Sequence, residues 1–378
     1  MKNISLMKNF NYWKKLYESE QLKEFNTDNV GLLWLKTKSI IRKELIAEFV
    51  KENNVRLKET ASGNKFVELF KLLSKNPKTA HKLLNEYIMK KSKEQHAELD
   101  TKKLVSELFK LKHFEWGDHQ NDLNKALVSR YVKVYKSYDQ LISKFEKEIH
   151  PLVQAYVLNS WYNHWSSILI QHIFESHKSV LPTVGQIKSV DFFINNIPFD
   201  LKVTYLPSEY IKEKRAEKGY PVELTYLKSK AKEADINFDK NGKPSDIYYE
   251  ITEKMKDKKD KISKKTLQKL REEKIIILKE AQGNPRMLGK WLYENQSTPR
   301  FGSENRIFLV LVDTNDFTNS WKLKRDLQIL KPTIIKYLEN FQYKFNTKGA
   351  QKLSVEYNFP KNSTKEFTSL ADVIFVVK

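Results

Sequence analysis

Residues 187–204, IKSVDFFINNIPFDLKVT, constrain the fold of this chain more than any other stretch. Two short apolar runs flank Asn195-Asn196, and asparagine tolerates the left-handed backbone of a two-residue hairpin turn, so the stretch reads as strand, turn, strand. That turn sets a register: Ile194 faces Ile197, Phe193 faces Pro198, Phe192 faces Phe199 and Asp191 faces Asp200. Counting outward, the last pair is non-hydrogen-bonded, where opposing Cβ atoms come closest, about 4.5–5.5 Å apart. Strand alternation puts Lys202 on the face of Asp200, and Leu201 and Val203 on the other face with Phe199.

Two carboxylates held that close repel and need a compensating partner. A divalent cation is the simplest one. Mg²⁺ accepts one or two carboxylates and completes its shell with water and phosphate oxygens, and a nearby lysine can orient or deprotonate an attacking water. Asp191, then Asp200-Leu201-Lys202 with eight residues between the acids, resembles the core motif of the PD-(D/E)XK, or restriction-endonuclease-like, nucleases. The resemblance implies a small mixed α/β sheet flanked by helices that cuts nucleic acid with Mg²⁺, Mn²⁺ being able to take its place. It departs from the pattern at Val190, where the motif has proline. The resemblance also implies a further metal-binding carboxylate from the helix before the hairpin, and Glu175 is the candidate, with Gln171 one turn earlier on the same face.

The rest of the chain fits around that core. Residues 1–150 read as an all-helical N-terminal domain, with helices at 31–52, 64–75, 78–96 and 101–112 and one long amphipathic helix over 123–149. The nuclease-like domain spans 151–378. It opens with an aromatic helix over 151–178, whose Pro151 suits a first turn, and closes with buried strands at 307–313 and 371–377 separated by a helix over 319–341. A polar, mostly helical insertion occupies 205–300. His164, His172 and His177 are spaced by eight and five, which does not stack them on one helical face, so they read as packing or surface residues.

Net charge is +21, which favours a polyanionic partner, double-stranded DNA first among them. Residues 254–274 hold ten Lys or Arg against four Asp or Glu. Lys264 and Lys265 in that run are candidates for a basic arm along a phosphate backbone, with a solvated helical face as the alternative. Further on, Arg300 and Arg306 are candidates to hold phosphates, and Asn295 and Gln296 to reach base edges, while Trp291 and Tyr293 suit either a nucleic-acid contact or a core.

Several classes are excluded. Zero cysteines rule out disulfides, zinc ribbons and thiol nucleophiles. Ten glycines, with no GxGxxG, no GxxxxGK[ST] and no GxSxG, leave no dinucleotide, P-loop or serine-hydrolase signature. The N-terminus lacks a signal-peptide apolar region and no run of 18 apolar residues occurs, so a soluble, cytoplasmic protein without membrane contact is expected. The expected activity is a Mg²⁺-dependent endonuclease of restriction or phage-defence type, with a homodimer expected where both strands are cut. Cleavage of RNA by the same fold is an alternative. The competing class is a basic, non-catalytic nucleic-acid-binding or assembly protein in which Lys202 offsets the acids in an internal ion cluster. For the helical half, dimerisation, modification sensing and binding of a partner protein stay open.

Overall fold

A computed structural model describes residues 9–19, 21–112, 114, 123–295, 304–344, 353–359, 361 and 363–378. It is a mixed α/β protein. Among the described residues, fifteen α-helices accompany six strands: β1 (Val180–Ile187), β2 (Val190–Ile194), β3 (Ile197–Tyr205), β4 (Arg306–Val312), β5 (Ser354–Asn358) and β6 (Glu366–Val377). They form one sheet in the order β1-β2-β3-β4-β6-β5. β1 and β2 are antiparallel, β3/β4 and β4/β6 are parallel, and β5 returns antiparallel to β6. No helix among the described residues is long and apolar enough to cross a membrane.

The hairpin forms where the alternating pattern puts it. Asn195 and Asn196 both take positive φ, 49° and 67°, as a two-residue turn of this hand requires. β4 is buried at all seven positions because helices cover both faces of a parallel strand. β1 was not expected from the sequence. Pro182 and Gly185 interrupt its pattern, and proline is tolerated there because β1 is an edge strand.

Compactness divides the chain into two units: one of Met1–Asp28, Pro198–Leu323 and Glu339–Lys378, the other of Asn29–Ile197 and Lys324–Leu338. The chain passes from one unit to the other after Asp28, Ile197, Leu323 and Leu338.

In the second unit, all described elements before β1 are helical. The helices Asn29–Ser39, Lys43–Glu52, Ser62–Leu73 and Pro77–Ala97 share a core of Leu33, Phe49, Leu69, Leu84 and Ile88 that also takes Val184 of β1. Proline opens the last of these helices, and Asn76 caps it by accepting from the Thr79 N–H at 3.3 Å. Gly185 is required by close approach: a Cβ there would stand 2.3 Å from the Ser39 carbonyl oxygen. The helix His150–Glu175 lays Phe174 flat on Phe192 of β2, ring centroids 5.1 Å apart.

The long helix expected over 123–149 does not form. The segment breaks into Leu123–Leu127, Val128–Val132, Tyr138–Ile142 and Phe145–Ile149, two of them π-turns. Ser137 restarts the chain as an N-cap, its hydroxyl accepting from the Gln140 N–H. The apolar stripe that suggested the helix is covered only in part, for Tyr131 and Ile149 are buried while Val134, Tyr138 and Ile142 are exposed.

In the first unit, residues 205–300 contribute the helices Ser208–Glu217, Glu223–Glu233, Pro244–Lys258, Lys261–Gly283 and Pro285–Glu294. Glu223–Glu233, Pro244–Lys258 and the start of Lys261–Gly283 close around their own small core of Leu227, Ile251, Met255 and Leu270. The remainder covers one sheet face, packing Ile277, Leu288 and Tyr293 against Phe308 and Val310 of β4 and Val373 of β6. A buried pair, Arg215 with Glu273, ties two of these helices, and Arg215 Nη2 also donates to the Pro221 carbonyl at 3.0 Å. On the opposite sheet face Phe199 of β3 meets Phe341 edge-on, 5.8 Å between centroids. The expected helix over 319–341 is a 3₁₀ segment, Phe317–Arg325, followed by the α-helix Leu327–Lys344.

Candidate active site

The parallel ladder between β3 and β4 begins at Asp200, whose N–H donates to the Asn305 carbonyl at 2.9 Å. The register then sets Asp200 opposite Arg306 and Lys202 opposite Phe308, all on one face. Lys202 Nζ lies 3.1 Å from Asp200 Oδ2 and Arg306 Nε lies 3.3 Å from the same oxygen. Arg306 Nη2 donates to Glu304 Oε2 at 3.2 Å. Asp200, Arg306 and Glu304 are buried, whereas the Lys202 side chain is 39% exposed.

Two acids and two cations thus make a balanced cluster. Asp200 Oδ2 is buried and has both cations at ion-pair distance, yet neither N–H is aligned with it as a hydrogen bond. The oxygen is neutralised by charge and keeps its lone pairs.

The bed under the cluster is aromatic. The Arg306 guanidinium carbon sits 5.2 Å from the Tyr293 ring centre, and Tyr293 stacks on Tyr357 at 4.2 Å. Tyr293 donates its O–H to the Glu304 carbonyl at 2.8 Å, and burial pushes its phenol well above the usual range, so it stays a neutral donor. Asn305 stitches three strand ends: its amide donates to the Pro198 carbonyl at 2.9 Å and accepts from the Leu370 N–H at 3.1 Å. The sequence alone does not single out Glu304 or Asn305. Their signal is that Glu304-Asn305-Arg306 forms a charged and amide triplet immediately before an all-apolar run.

Asp191 is on β2 in the second unit, its main-chain oxygen accepting from Thr183 Oγ1 at 3.0 Å. Glu175 ends the helix His150–Glu175 and is buried, with Oε2 2.9 Å from His96 Nε2 and Oε1 accepting from Gln171 Nε2 at 2.8 Å. His172 meets His96 edge-on at 4.1 Å, and burial, followed by the His96 charge, holds its imidazole below the usual range. Among the described residues no three His, Asp or Glu side chains gather as a metal cluster. Arg306 has its guanidinium engaged by Asp200 and Glu304 and does not reach the surface for a phosphate. Asn295 turns its amide back onto its own helix, donating to the Trp291 carbonyl at 2.9 Å. Trp291 donates to Glu213 Oε2 at 2.8 Å and packs with Tyr293 in the core. Lys264 and Lys265 lie on the exposed face of the helix Lys261–Gly283. Gln296 and Arg300 lie outside the described residues.

No family model, curated protein or solved structure matches this chain.

Proposed function

We propose that this protein is a metal-dependent endonuclease of the PD-(D/E)XK kind, acting on nucleic acid with DNA as the preferred substrate. The observation that carries the reading is the pairing at β3: a buried carboxylate, Asp200, with a half-exposed lysine two residues on, 3.1 Å away on the same face. Strand order supports it, since β1 antiparallel to β2, then β3, then β4 parallel to β3 is the order that the resemblance leads one to expect. The Asn195-Asn196 turn joins the strands that carry Asp191 and Asp200.

The residues fit Mg²⁺ in kind. Asp200 offers a hard oxygen that no hydrogen bond occupies, and Mg²⁺ needs only one or two carboxylates from a protein. Asp200 would hold it, and Glu175, already held by His96 and Gln171, is left out. When bound, the ion would neutralise charge on the scissile phosphate. Lys202, with its ammonium reaching solvent, orients water for in-line attack. Arg306, itself held by Glu304, holds Asp200 in place. A restriction or phage-defence role rests on the resemblance alone.

The balanced cluster favours a second reading, in which Lys202 and Arg306 neutralise Asp200 and Glu304 without a metal and the protein binds nucleic acid without cutting it. Titration of Mn²⁺ followed by paramagnetic resonance separates the two. The nuclease reading expects saturable binding that Asp200→Asn weakens at least tenfold, and equal, non-saturable uptake by both proteins supports the second.

A further inference from the structure

The helices Pro244–Lys258 and Lys261–Gly283 and the loop 313–318 that leaves β4 enclose a cavity of about 700 Å³. Small-molecule pockets span roughly 300–1,000 Å³. Asp200 pairs with Arg306 at the amino end of β4, and the cavity opens beyond its carboxyl end. At about 3.3 Å per residue the strand itself puts roughly 20 Å between them, so this is a separate place in the first unit. The carboxyl ends of parallel strands are where sheets of this class take ligands.

Tyr248, Tyr249 and Phe317 supply aromatic wall, and Tyr249 is 57% exposed. Four cations line the cavity, and two of them are neutralised. Lys256 has Glu253 at 2.7 Å and Asp316 at 3.0 Å, and Lys274 has Glu223 at 2.6 Å. Lys264 and Arg271 have no carboxylate partner among the described residues. Arg271 donates from Nε to the Thr314 carbonyl at 2.7 Å and from Nη2 to Asn315 Oδ1 at 3.2 Å. Neutral oxygens therefore aim the guanidinium and leave its charge uncompensated, which is the state that binds an oxyanion. Lys264 stands two turns earlier on the same helical face.

A planar aromatic wall beside two uncompensated cations matches one ligand chemistry. We propose that this cavity binds a nucleotide, its base against the tyrosine and phenylalanine rings and its phosphate on Arg271 and Lys264. A free mononucleotide and a nucleotide unit of a nucleic-acid strand share that chemistry. The site needs no divalent ion and stands apart from the nuclease reading.

The test is a fluorescence titration in EDTA with N-methylanthraniloyl-AMP, competed by AMP, by inorganic phosphate and by a short single-stranded oligodeoxynucleotide. Arg271→Gln removes the charge while keeping an amide for the loop, and Tyr249→Ala alters an exposed side chain that the fold does not need. Saturable binding is expected, with AMP competing at least tenfold better than phosphate. Both variants should weaken it tenfold or more, and Lys202→Ala should change it less than twofold. Displacement by the oligonucleotide at lower concentration than AMP assigns the site to a strand, and the reverse order assigns it to a free nucleotide. The proposal is overturned if neither probe nor oligonucleotide binds saturably, if phosphate competes as well as AMP, or if both variants bind as wild type does. Because EDTA is present throughout, absence of nuclease activity leaves this result untouched.

Discussion

Arg306 of β4 lies directly across the parallel ladder from Asp200 of β3, and its Nε stands 3.3 Å from the Asp200 carboxylate with almost no solvent in reach. The pairing gives β3 and β4 a polar junction at the amino end of β4. Removing one member of a buried ion pair leaves the other uncompensated, at about 3–5 kcal/mol. Arg306→Ala should lose stability on that scale in urea denaturation, and Arg306→Ala with Glu304→Gln should lose less than the sum of the two single variants. A loss below about 1 kcal/mol in Arg306→Ala would show that the pair does not hold the strands.

Two buried lysines destabilise the second unit. Burial pushes Lys36 and Lys324 down to about 8, and each donates to a neutral amide oxygen, Lys36 to Asn196 Oδ1 and Lys324 to Asn163 Oδ1, both at 2.8 Å. In the unfolded chain a lysine titrates near 10.4, so between about pH 8 and 10.4 the unfolded state binds more protons and stability rises with pH. The same linkage means each ammonium costs stability at neutral pH. Lys324→Met should therefore raise the urea midpoint at pH 7 by an amount on the order of 2–3 kcal/mol. It should also flatten the rise above pH 8, and an unchanged profile would contradict this.

His172 acts at the other end of the scale. Its imidazole is held below the usual range, so the unfolded chain protonates first as pH falls through about 6.5, and stability is lost there. His172→Gln should remove part of that acid-side loss, measured as the difference between urea midpoints at pH 7.5 and 5.5. An identical difference in wild type and variant would exclude His172 as the source.

Gly185 meets the Ser39 carbonyl so closely that an added Cβ would overlap backbone. Gly185→Ala should destabilise by roughly 1–3 kcal/mol through forced displacement of β1 or of the chain at Ser39. A variant as stable as wild type would mean that this approach is slack.

Much of the sheet was legible because its signals are local. Two asparagines between apolar runs announce the hairpin, and unbroken apolar runs announce β4 and the end of β6. β1 was illegible because Pro182 and Gly185 disguise it, and the reasons they are tolerated, an open edge and a neighbouring carbonyl, exist only after folding. The apolar stripe over 123–149 misled for the opposite reason: periodicity describes a face, and burial depends on whether another element comes to cover it. At the candidate site Asp200 and Lys202 share a face by simple alternation. Arg306 read as a surface cation because a residue flanking an apolar strand says nothing about register, and only the pairing of β3 with β4 puts it beside Asp200.

The central claim is that Asp200 and Lys202 perform metal-dependent phosphodiester hydrolysis. Cleavage of supercoiled plasmid by wild type, Asp200→Asn and Lys202→Ala, each with Mg²⁺ or EDTA, tests it most directly. The account predicts nicking or linearisation by wild type with Mg²⁺ only, and a loss of at least a hundredfold in both variants, which should still retard DNA in a gel. Wild type that leaves DNA and RNA intact with Mg²⁺ or Mn²⁺ while binding as both variants do would contradict it. The same holds for cleavage that persists undiminished in either variant.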